Sequence, residues 1–142
     1  EEDVLPYCKD NDIKTLTYGS LCRGLLSGKM TGEREFKGDD LRKTDPKFQK
    51  DRFSQYLNAA NELDKFARKN YNKTVRDFAV RWVLDKGADI ALWGLRKPEQ
   101  LEGIDEVFGW KIDEEGMKKV DEIIEKNIKD PVGPEFMAPP SD

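Results

Sequence analysis

The first apolar positions, Val4, Leu5 and Cys8, stand at helical spacing before the polar stop Lys9-Asp10-Asn11-Asp12, which predicts the end of a helix over residues 1–12. Residues 13–18 (I-K-T-L-T-Y) are rich in β-favouring types and run into Gly19 and Ser20, predicting a strand followed by a turn. Residues 21–29 form a loop with Gly24, Gly28, Arg23 and Lys29. From 30 to 51 no apolar period is sustained, and Gly32, Gly38 and Pro46 punctuate a long loop. Helical spacing returns over 52–70, with Phe53, Tyr56, Leu57, Ala60, Leu63 and Ala67 on one face.

Thr74, with Asp77 three residues on, marks the start of a second helix that turns Val75, Phe78, Ala79, Trp82 and Val83 inward. The helical pair covers 52–85. The run I-A-L-W at 90–93 suits a buried strand, and Pro98 suits the first turn of a helix reaching Phe108 with Leu101, Ile104 and Phe108 inward. Asp113 is placed to cap a last helix with Met117, Val120, Ile123 and Ile124 on one face. The tail from 130 holds four prolines and is not helical.

Strand, loop, helices, strand, helix, helix is the α/β pattern with parallel crossovers. Two parallel strands leave two open edges and too little surface to cover four amphipathic helices. Further strands must come from a missing part of the fold or from self-association.

Composition narrows the chemistry. The 142 residues are sized for one domain, with 37% hydrophobic and 38% charged residues. No apolar run approaches the roughly 20 residues of a membrane span, and the acidic start Glu1-Glu2-Asp3 is unlike a signal peptide; the expected location is the cytoplasm, with Cys8 and Cys22 as reduced thiols. A net charge of −4 and a pI near 5.1 do not advertise a nucleic-acid surface. Histidine is absent, which removes Ser/His/Asp and Cys/His nucleophile systems and leaves no zinc set.

Two segments have the composition of anion sites. Residues 19–29 combine three glycines with two cations, so that backbone can approach a phosphate. Residues 90–100 combine a strand, Gly94, Arg96, Lys97 and a helix start at Pro98, whose free N–H groups and dipole favour negative charge. Either segment alone is equally well an ordinary strand-to-helix turn.

Together, Y-G-S-L-C-R-G-L-L-S-G-K at 18–29, K-T-V at 73–75 leading to R-W-V-L at 81–84, and W-G-L-R-K-P-E-Q-L at 93–101 resemble the aldo-keto reductase family in order and spacing over nearly the whole chain. The ending P-V-G-P-E-F-M-A-P-P at 131–140 resembles one bacterial branch of it. The resemblance implies an α/β fold, the C-terminal part of a (β/α)8 TIM barrel, with its site at the C-terminal ends of the strands. The strand at 13 would be the seventh and that at 90 the eighth, with the family's extra helix over 113–127. A whole barrel needs about 250 residues, so this chain cannot close one. A cut enzyme and a half-length gene product are the two explanations, and the start inside a helix without Met favours the first.

The family transfers a hydride from a nicotinamide cofactor, usually NADPH, to an aldehyde or ketone. By resemblance, Tyr18 stacks on the nicotinamide; Gly19, Ser20, Leu21, Cys22 and Arg23 lie along the pyrophosphate; Lys29 and Arg42 are cations that help close over the cofactor. Gly94, Leu95 and Arg96 fall at the adenosine 2'-phosphate and Gln100 at the adenosine. Where many members carry Glu and Asn near adenine, this chain has Gly103 and Ile104, so those contacts are not expected. The family's Asp, Tyr, Lys and His proton-transfer group belongs to the first half of the barrel, so no catalytic residue is named and the chain alone is expected to be inactive. The substrate is a small carbonyl compound. A second reading is a non-catalytic NADP(H)-binding or regulatory module that oligomerises through its open strand edges.

Overall fold

Residues 3–133 and 136 are described in a computed structural model of the chain. Its centre is a helical layer. Helix α2, Lys50–Tyr71, ends where Asn72 turns left-handed (φ 54°), a conformation Asn tolerates better than most residues. Helix α3, Val75–Asp85, then starts on the expected capping box: the Asp77 N–H donates to the Thr74 hydroxyl, and the Asp77 carboxylate accepts from the Thr74 N–H and hydroxyl. Replacing Thr74 with Ala removes the cap and is expected to cost about 1 kcal/mol, read as a fall in the urea midpoint at unchanged slope.

Helix α4, Glu114–Asn127, is capped by Asp113 as expected, its carboxylate accepting from the Gly116 N–H at 2.7 Å. It packs on α2 to enclose Leu63, Ala67, Val75, Phe78, Ile112, Val120 and Ile123. Gly116 is close-packed against Tyr71 and Ile112, so this helix position accepts no side chain without displacement. A second cluster, Leu25, Phe48 and Ala60, joins the loop after the first strand to α2, with Phe36, Phe53 and Tyr56 against it. The segment 30–51 is therefore more ordered than its polarity predicts: it contains 3-10 turns at Leu41–Lys43 and Pro46–Phe48, capped by Asp40 and Asp45.

The short helix α1, Val4–Asp10, buries nothing. Strands β1, Leu16–Thr17, and β2, Ile90–Ala91, pair in parallel, Leu16 opposite Ile90 and Thr17 opposite Ala91. Both are shorter than the runs 13–18 and 90–93 predict, because each has one hydrogen-bonded neighbour among the described residues. Their apolar side chains lie open: Ile13, Leu16, Ile90 and Leu92 are exposed, so the expected burial of the 90–93 run is not met within this chain.

The helix expected from Pro98 to Phe108 is instead two 3-10 turns, Pro98–Leu101 and Ile104–Val107, broken at Gly103 (φ 71°). Gly103 takes a left-handed conformation that side chains rarely adopt, and this backbone angle selects glycine there. The break rotates the face: Val107 is buried, and Leu101, Ile104 and Phe108, expected inward, are exposed. On α4, Ile124 likewise lies at the margin while Val120 and Ile123 are enclosed. No described helix is long and apolar enough to cross a membrane.

Candidate active-site surface at the strand ends

Parallel pairing sends the chain out of β1 and β2 at the same end, so segments 18–29 and 92–100 emerge side by side. At the opposite end, Thr15 and Asp89 clip the strands together: the Asp89 carboxylate accepts from the Thr15 N–H and hydroxyl, which in turn accepts from the Asp89 N–H. At the emerging end the Leu92 N–H donates to the Thr17 carbonyl at 2.8 Å, and Ser20, 8% exposed, donates its hydroxyl to the Leu92 carbonyl at 3.2 Å. Ser20 thus joins the two candidate anion segments directly.

Tyr18 stands 69% exposed at the end of β1. The backbone beyond it is unusual, with positive φ at Gly19, Cys22, Arg23 and Gly24, a region costly for the two non-glycine residues. The turn closes through Cys22 N–H to Gly19 carbonyl (2.7 Å) and Gly24 N–H to Leu21 carbonyl (2.9 Å). Leu25 anchors it in the second core cluster. Burial pushes the Cys22 thiol above its ordinary value, with nearby Lys47 and Arg23 opposing and Asp45 reinforcing the shift; the thiol is free, as is that of Cys8. Lys29 is solvent-exposed at the end of the turn.

In the second segment, Gly94 has open space where a side chain would stand, as does Gly19. Leu95 is half-buried and Arg96 exposed. Gln100 faces inward on its own loop, its amide oxygen accepting from the Arg96 and Lys97 N–H groups at 2.7 and 3.0 Å. Those donors, expected to be free at a helix start, are already satisfied, and what this segment presents outward is the Arg96 side chain.

Two residues that order these loops, Arg76 and Asp40, are not among the sequence candidates, whereas Arg42 is. Arg76 lies over the Trp93 ring at 5.0 Å, donates to the Glu102 carbonyl at 3.0 Å and to Asp77 at 2.9 Å, so α3 sets the height of the whole 93–103 segment. Arg42 forms a two-point pair with Asp40, Nε to Oδ1 at 2.9 Å and Nη2 to Oδ2 at 2.5 Å, with its guanidinium 4.6 Å from the Phe36 ring centre. Hydrogen bonds from Arg42, then the Arg42 and Arg96 charges, hold the Asp40 carboxyl well below the usual carboxylate range. A carboxyl depressed in the fold favours the folded form above its unfolded value and loses that contribution as pH falls through the folded value. Followed by carboxyl NMR, Asp40 is expected to titrate below the ordinary aspartate value of about 3.9, and Arg42→Gln to return it toward that value.

Two loops thus leave adjacent parallel strands, one lined by positive-φ backbone and the other by Gly94 and an outward arginine. The aldo/keto reductase family matches residues 1–125. The chain belongs to that family. It is 63% identical over 142 residues to the aldo-keto reductase YhdN of Bacillus subtilis, covering 99% of this chain and 43% of that protein. The structure of a glycerol dehydrogenase from Gluconobacter oxydans superposes with a TM-score of 0.85 at 51% identity, over 96% of this chain and 42% of that one. The chain thus spans about two fifths of the relatives it matches, and its fold is part of the aldo-keto reductase barrel, mostly helical with two parallel strands. More distant relatives carry different cofactor names: an NADP(+) aldo-keto reductase of Schizosaccharomyces pombe (31% identity over 72% of this chain and 30% of that protein) and an NADH-specific methylglyoxal reductase of Escherichia coli (28% over 71% and 30%).

Within this aldo-keto reductase chain no group of three or more metal-ligating side chains gathers among the described residues. The larger described cavity, about 740 Å³, is an open groove between α2 and α4 lined by Glu62, Lys65, Tyr71 and Lys119. It lies away from the strand ends, whose surface is open rather than enclosed.

Proposed function

We propose that this chain supplies most of the NADP(H)-binding surface of an aldo-keto reductase that interconverts small aldehydes or ketones and alcohols, β1 and β2 standing as the seventh and eighth strands of its barrel. The observation that carries the reading is the Ser20 to Leu92 hydrogen bond, which sets the two phosphate-type segments side by side. The backbone at Gly19 and Gly94 is open to approach, as a ligand lying along both segments would need. When bound, the cofactor supplies a hydride to the carbonyl carbon.

Each candidate residue then has a binding task. Tyr18, exposed at the strand end, offers an aromatic face to the nicotinamide and fixes which side of the ring meets the substrate. The backbone from Gly19 to Arg23 follows the pyrophosphate, and Arg23 adds charge. Arg96 meets the 2'-phosphate with paired guanidinium donors, while Gln100 holds the Arg96 backbone in place and reaches adenosine from there. Lys29 and Arg42 close over the cofactor, Arg42 from its pair with Asp40. The extra helix of the family corresponds to α4.

Reduction also needs a proton for the developing alkoxide. The chain has no histidine, and none of its matched positions belongs to the family's proton-transfer group. The expected result is that the 142-residue polypeptide turns over no NADPH with a reactive aromatic aldehyde above the uncatalysed rate. Turnover well above that background would show that the proton donor lies within this chain.

A further inference from the structure

We propose that Asp45 is a positioning residue for Arg23: a buried carboxylate on the segment 30–51 holds the guanidinium that faces the cofactor phosphates. The identity of the ligand rests on the cofactor reading above. The geometry of the pair does not.

Asp45 is fully excluded from solvent, where a carboxylate is tolerated only if cations meet it. Two do. Lys47 Nζ lies 3.0 Å from Oδ1 and Arg23 Nη1 lies 3.1 Å from Oδ2. The two contacts differ in kind. Oδ1 also accepts from the Lys47 N–H at 3.0 Å, capping the Pro46–Phe48 turn. Oδ2 accepts no hydrogen bond among the described residues, so it meets Arg23 as charge rather than through an aligned donor. One oxygen therefore serves the local turn, and the other serves a residue 22 positions earlier in sequence, in the loop after β1.

The two cations differ in exposure: Lys47 is the more covered, with 17% of its side chain accessible against 30% for Arg23. Both cations also lie against the Phe136 ring, Lys47 at 4.9 Å and Arg23 at 5.7 Å from its centre. Lys47 is the internal counter-ion, and Arg23 is the cation that keeps an accessible edge. Arg23 further donates to the Leu41 carbonyl at 3.3 Å, so residues 41–45 grip it at two points. Its backbone sits at φ 53°, a region costly for a non-glycine residue.

Asp45→Asn keeps the shape and the capping oxygen and removes the charge. NADPH affinity is measured by fluorescence titration for the unsubstituted protein, Arg23→Gln, Asp45→Asn and the double variant. The expected pattern is a loss of roughly ten- to a hundredfold for Arg23→Gln, the range for a hydrogen bond to a charged group. Asp45→Asn loses less, and the double variant is no worse than Arg23→Gln alone. Losses that multiply in the double variant overturn the role of Asp45 while leaving the cofactor reading standing. Undiminished NADPH binding by Arg23→Gln overturns both. Lys47→Met is expected to leave affinity within about twofold, and a loss as large as that of Asp45→Asn would show that charge balance, not the hold on Arg23, is what matters. The unsubstituted protein gives a reading that needs no variant to fold: a single, slowly exchanging Arg23 Nε–Hε NMR signal without cofactor is expected, and a motionally averaged one overturns the proposal.

Discussion

Phe78→Ala is expected to lower stability by about 3–5 kcal/mol, the range for truncating a buried aromatic side chain. Phe78 is 2% exposed on α3 and touches three other rings: Phe66 edge-on at 5.9 Å, Tyr71 at 5.4 Å, and Trp110 nearly parallel at 6.1 Å. These rings come from α2, from its C-terminal end and from the segment before α4, so the ring of Phe78 is where three parts of the helical layer meet. Removing it leaves a cavity that the surrounding aromatics cannot fill by rotamer changes alone, and each lost ring pair adds to the transfer cost. Urea unfolding followed by tryptophan fluorescence checks this. A shift worth less than about 1 kcal/mol would mean the layer collapses around the gap far better than a close-packed core does.

Arg96→Gln is expected to weaken NADPH binding by roughly ten- to a hundredfold while leaving NADH within about twofold, since a guanidinium hydrogen-bonded to phosphate is worth about 1.5–3 kcal/mol. The side chain is exposed and its backbone is held by Gln100, so the substitution removes charge without loosening the segment. Asp40 bears on the magnitude: it lies close enough for the Arg96 charge to lower its carboxyl further. That carboxylate already engages Arg42 at two points, and the preference for the 2'-phosphate is the excess of attraction over this internal competitor. Equal losses for NADPH and NADH, measured by titration, would place Arg96 elsewhere on the cofactor.

How far the sequence was legible depended on the range over which each signal acts. The caps at Thr74 and Asp113 were readable because three or four residues decide them, and the apolar faces of α2 and α4 because helical period is local. The break at Gly103 was not read, since a lone glycine inside a helical pattern does not by itself show whether the chain turns left-handed there. The strands were overextended for a related reason: β-favouring side chains mark where a strand is possible, and neighbouring strands decide how long it runs. At the candidate site the resemblance names Tyr18, the turn to Arg23 and the Arg96 segment as candidates. It did not disclose Asp45, Lys47 or Arg76. For Asp45 a signal existed, because Asp followed by Pro is a helix-start pattern, but that pattern speaks only of the turn and not of the arginine paired across it.

The pairing of β1 with β2 joins residues 16–17 to 90–91, whereas α2 and α3 meet across the short connection 72–74. Closing the longer loop costs more entropy and returns only two residue pairs of ladder. The α2–α3 hairpin is therefore expected to form early and the strand pair late, an order that φ-values at Phe78 and Ile90 would test. On that order, the surface that Ser20 and Leu92 bring together comes into being after the helical layer that holds it.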